Sequence, residues 1–120
     1  MKRVRVILSD DADAAYSELK ARAVSSKIDR SILKSIDQKK DCIKANPQYG
    51  EPVPKSLIPR AYVEKYGVTN LFWVQLADFW RMLYTLTNDG QVEIIAFVLD
   101  IKSHPDYDRL MGYKKDRVRK

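Results

Sequence analysis

Polar and apolar residues alternate from Arg3 to Leu8, with Val4, Val6 and Leu8 on one face and Arg3 and Arg5 on the other. This period of two predicts a half-buried strand. The period then changes. Ala12, Ala15, Tyr16, Leu19 and Ala23 recur at helical spacing behind Ser9-Asp10-Asp11, which supplies N-cap side chains and negative charge for a first turn. The helix expected here covers about residues 11–24. A second is expected over about 29–45, with Ile32, Leu33, Ile36 and Ile43 on its inner stripe. Asn46-Pro47 ends it, because proline cannot continue the hydrogen bonding and restricts the residue before it. Two helices with a short link form an antiparallel hairpin.

Residues 47–68 hold four of the five prolines and two glycines, and read as a long ordered loop with one helical turn near Ala61–Tyr66. Long loops are common seats of function. Three strands are expected after it, over about Leu71–Leu76, Arg81–Thr87 and Val92–Ile101. Asn88-Asp89-Gly90 is a hairpin signal between the last two. The last strand is apolar on both faces, as a central strand should be. Pro105, with Asp106 and Asp108 beside it, opens a short final helix. The expected fold is α+β in the order βααβββ: a two-helix hairpin on one face of a four-stranded, mainly antiparallel twisted sheet. The first strand should lie parallel beside the last, because a helical crossover lets the chain return to the sheet. The other sheet face is expected to be left for solvent or a partner.

Composition narrows the class. At 120 residues the chain is expected to be a single domain with an ordinary hydrophobic core. No apolar run reaches the roughly 18 residues of a membrane span, and the charged first strand has no signal-peptide pattern, so a cytoplasmic protein is expected. A single cysteine, Cys42, excludes an internal disulfide and a multi-cysteine metal site. The net charge of +6 is concentrated at the end. Residues 109–120 carry six basic side chains against Asp116, while the other 108 residues carry 16 basic and 15 acidic ones. The basic tail is either a phosphate-contacting segment or a solvated end.

Arg81 sits inside an apolar strand, where an unpaired buried charge would cost several kcal/mol. It therefore needs either an acid such as Glu93 or Asp100 or a water-facing task. Trp73, Trp80 and Tyr84 lie at strand spacing and read as core aromatics.

The string WRMLYTL, followed by a hairpin turn, an apolar strand and HPDYDRLMGY, resembles the RelE/ParE superfamily of toxins from type II toxin–antitoxin modules. The first strand, the helix hairpin and the loop GEPVPK stand in the family's order, so the resemblance covers nearly the whole chain. For a RelE-like member it implies a ribosome-dependent mRNA endonuclease, in which a ribose 2′-OH attacks the adjacent phosphate. That step needs a base, cations for the phosphorane and an acid for the leaving oxygen. Arg81 matches the family's strand arginine, and its planar fork suits a phosphate oxygen. His104 and Tyr107 stand where the family keeps acid–base or stacking residues; otherwise the histidine caps a helix and the tyrosine packs one. Lys55 and Arg60 in the proline-rich loop, with Lys114 and Lys115 in the tail, are expected to contact RNA. His104 has no companion ligands at usable spacing, so no metal is expected, and no cofactor either. The partner the resemblance implies is a small acidic antitoxin, and a homodimer stays open. A ParE-like toxin that binds gyrase without catalysis, or an inactive member serving as an interaction module, are the alternatives.

Overall fold

The computed structural model describes residues 3–89 and 93–112. Strand β1 (Arg3–Leu8) leads into helix α1 (Asp10–Arg22) and helix α2 (Lys27–Ala45). A two-residue strand β2 (Glu51–Pro52), helix α3 (Arg60–Tyr66) and strands β3 (Phe72–Gln75), β4 (Arg81–Asp89) and β5 (Glu93–Lys102) follow, and α4 (His104–Met111) ends the described chain. The sheet order is β1-β5-β4-β3-β2. β1 runs parallel to β5, and the remaining pairs are antiparallel. The described residues thus form an α+β fold with four helices and a mixed sheet, and β5 is central as its two apolar faces required.

Local chemistry sets the boundaries. The Ser9 hydroxyl accepts from Ala12 N at 3.0 Å as the N-cap of α1 and donates to Leu99 O at 2.7 Å, tying the strand–helix junction to β5. α2 starts two residues earlier than its apolar stripe suggested because Ser26 caps it, accepting from Asp29 N at 3.2 Å. β5 carries one extra residue opposite Leu83 and Tyr84. This bulge lets Leu99 and Asp100 both serve the face away from the helix hairpin. Asn88 and Asp89 belong to β4, while the Gly90 part of the expected turn lies outside the described residues.

Two expectations need correction. Among the described residues the sheet has five strands, because Glu51 and Pro52 pair with Trp73 and Phe72. Main-chain pairing over two residues leaves no side-chain period to read. The second face is not open. α1 and α2 cover one face, where Ile32, Ile36, Ile43, Met82, Tyr84 and Val98 form the core. On the other face Tyr62 of α3 and Tyr107 of α4 close over Leu71, Leu83 and Leu99. Met82 and Leu83 are neighbours in β4 and both fully buried, one under each layer.

The β3–β4 connection is tight. Asp78 (φ 55°) and Phe79 (φ 63°) are both left-handed, the geometry of a type I′ turn, which favours Asn-Gly. A left-handed residue with a side chain costs on the order of 1 kcal/mol. The turn is pinned by Leu76 N to Trp80 O (2.8 Å), Trp80 N to Ala77 O (3.2 Å) and Ala77 N to the Ser35 hydroxyl (3.0 Å).

Candidate functional site

β4 starts and β5 ends at the same edge of the molecule, and that register brings the candidate residues together. Arg81 lies opposite Lys102 on one side and Gln75 on the other. Its guanidinium carbon is 4.2 Å from the centre of the Trp73 ring and 4.6 Å from that of Tyr107. The two rings are 6.4 Å apart and tilted by 55°, so together they form a cradle for the cation. Arg81 Nε is buried without a hydrogen-bond partner among the described residues. A buried donor left unpaired needs a reason.

Asp100, one of the two acids expected to pair with Arg81, has other partners. Asp100 accepts a hydrogen bond from the Tyr62 hydroxyl at 2.6 Å and lies 4.0 Å from Lys102 Nζ. Burial, and then the Asp100 carboxylate, push the Tyr62 phenol well above its ordinary range, so it stays a donor. Glu93 stands at the other end of the ladder opposite Asp89, nine residues from Lys102. That separation is about 30 Å along a strand. The charge on Arg81 is therefore held by aromatic faces, which fix its plane without neutralising it.

His104 opens α4 behind Ser103, with its side chain 52% exposed. Its Nε2 lies 3.3 Å from Asp108 Oδ2, one helical turn on. Its ring faces Phe79 of the strained turn at 6.5 Å. Tyr107 is only 2% exposed. Its ring packs α4 onto the sheet and supports Arg81, and a buried ring has no free face on which a base can stack. The aromatic set divides similarly: Tyr84 is core, donating to Pro47 O at 2.7 Å and accepting from Gly50 N at 2.9 Å, and Trp80 packs against the core. Gly50 must be small there, since a Cβ would meet Trp73 O at 2.9 Å and the Tyr84 ring at 3.0 Å.

Lys55 and Arg60, expected to contact RNA, are not part of this cluster. Lys55 stands exposed on a short 3-10 turn, and Arg60 pairs with Glu64 at 3.2 Å on the surface of α3. Lys114 and Lys115 lie outside the described residues. A cleft of about 510 Å³ is lined by Tyr62, Lys65, Asp100 and Lys102, and one of about 360 Å³ by Lys39, Tyr49, Trp73 and Gln75. Neither has Arg81 or His104 in its wall. Among the described residues no group of histidine, cysteine and acidic side chains is placed to hold a metal ion, and no helix is long and apolar enough to cross a membrane.

Phe79 and Lys102 were absent from the candidates. Lys102 was readable as a basic residue ending the last strand. Phe79 was readable only by asking which residues must turn the chain between Gln75 and Arg81. In comparisons with known proteins, the chain matches no family model, no curated protein and no solved structure.

Proposed function

We propose that the chain is the toxin of a type II toxin–antitoxin module, a RelE-type endoribonuclease that cuts messenger RNA on the ribosome. The observation that carries the reading is Arg81, a strand arginine held between Trp73 and Tyr107 with its Nε unpartnered. A cation fixed in plane but not neutralised suits a phosphate oxygen.

In this reading the 2′-OH attacks the adjacent phosphorus, its proton leaves to a base, and the bond to the 5′-oxygen breaks as that oxygen takes up a proton. Arg81, with Lys102 beside it, stabilises the charge of the phosphorane. His104 is the exposed group for proton transfer, oriented by Asp108. Trp73 and Tyr107 position Arg81 rather than touch the reacting atoms. Lys55 and Arg60 supply backbone contacts away from the cluster, and Lys114 and Lys115 of the basic tail are further phosphate contacts in this reading. A small acidic antitoxin covering Arg81 would silence the site by charge and by occlusion.

Protein added to translating ribosomes should cut the message and leave a 2′,3′-cyclic phosphate and a 5′-hydroxyl. A 2′-deoxy residue at the cut position should stop the reaction, and His104→Ala should slow it about 10²-fold. An uncut message, or an unchanged rate in the deoxy substrate, contradicts the proposal. The gyrase-binding reading is favoured by one observation: Tyr107 is buried, which leaves His104 as the one exposed acid–base group of the proposed trio. Loss of gyrase supercoiling with an intact message would select it.

A further inference from the structure

Folding does not explain Phe79. Its side chain is 69% exposed, so the core gains little from the ring. Its backbone is left-handed directly after another left-handed residue, where glycine would sit without strain. The strain is nonetheless locked in, since the turn is tied to α2 through Ser35 and closed by its own main-chain bonds. The ring is thereby held out from the surface, two residues before Arg81 and 6.5 Å from the His104 ring. Residues kept in costly backbone conformations by their surroundings cluster at functional sites.

We infer that Phe79 is a stacking platform for a nucleobase of single-stranded RNA, the base flanking the phosphate held at Arg81. The choice of RNA rests on the nuclease reading above. Among the described residues Arg81 is the cation at these strand ends that no acid neutralises, whereas Lys102 lies 4.0 Å from Asp100, Arg109 pairs with Asp106 and His104 lies 3.3 Å from Asp108. An unneutralised cation two residues from the ring suits an anionic partner better than an apolar protein surface. Asp78 is the exposed acid on the turn itself. A base on the Phe79 face and a phosphate on the Arg81 fork would together select single strands, because a paired base has no free face to offer.

The test uses a labelled single-stranded RNA with 2′-O-methyl riboses, which binds but cannot be cut, read by fluorescence anisotropy. Phe79→Gly should weaken binding about 5- to 100-fold, while its melting temperature stays unchanged or rises. Phe79→Trp should bind as tightly as the wild type, and Phe79→Leu should bind weakly. Arg81→Ala should also weaken binding, and these results support the platform even if ribosomal cutting is absent, in which case only the nuclease reading falls. Wild-type affinity in Phe79→Gly alongside weakened Arg81→Ala overturns the platform and leaves the nuclease reading standing. An oligomer that the wild type does not bind overturns it as well. So does a Phe79→Gly protein that keeps RNA affinity but loses its antitoxin, which would make the ring a protein contact.

Discussion

Beneath α1 and α2 the sheet is closed mainly by aliphatic side chains, whereas the opposite face is closed by tyrosines that arrive from α3 and α4 and leave charges in place. On the first face Ile32, Ile36, Ile43, Met82 and Val98 fill space and carry no polar atoms to satisfy. On the second, Tyr62 and Tyr107 are also buried but in addition hold Asp100 and Arg81. Aliphatic packing supplies stability alone. Aromatic rings supply stability together with quadrupolar faces that hold a cation and hydroxyls that hold a carboxylate. The Arg81 cation can then sit at the strand ends held by rings rather than by an acid.

The comparison breaks first at β4. If both faces are true cores, Met82→Ala and Leu83→Ala should each cost about 2–5 kcal/mol in urea unfolding. A Leu83→Ala protein as stable as the wild type would mean that the second layer does not close. Tyr62→Phe sharpens the polar side. It removes the donor to Asp100 and should cost about 1–3 kcal/mol. The Tyr62 pKa is raised in the fold, so its contribution is present below the unfolded value of about 10 and is lost as pH rises above it. Tyr62→Phe should therefore unfold less steeply with alkali than the wild type, and an identical profile would argue against the buried hydroxyl. The smallest effect belongs to Tyr107→Phe, which keeps the ring under Arg81. Cutting should stay within about threefold, where loss of proton transfer would slow it about 10²-fold.

Much of this was legible in the chain. The parallel β1–β5 pair follows from a helical crossover, and the central place of β5 from its two apolar faces. The second layer was not legible, because its members are far apart in sequence: Tyr62, Leu83, Leu99 and Tyr107 show no common period. The cradle has the same origin. An arginine in a strand announces that it needs something, but Trp73 and Tyr107 reach it only through tertiary packing. The sequence suggested Asp100 as its partner, and the bulge at Leu99 with Tyr62 above gives that carboxylate a different one. Phe79 was hidden because Asp78-Phe79 carries no turn signature of its own.

The most direct test of the account is the rate at which ribosome-bound message is cut by Arg81→Ala and Arg81→Lys, with melting curves beside it. Arg81→Ala should retain the fold and cut about 10²–10³-fold more slowly, the scale of losing one transition-state donor. Arg81→Lys should recover little of the rate, because an ammonium cannot occupy the aromatic cradle as a planar fork. Wild-type cutting by Arg81→Ala, with the fold intact, would contradict the claim that this cradled cation is the phosphate site.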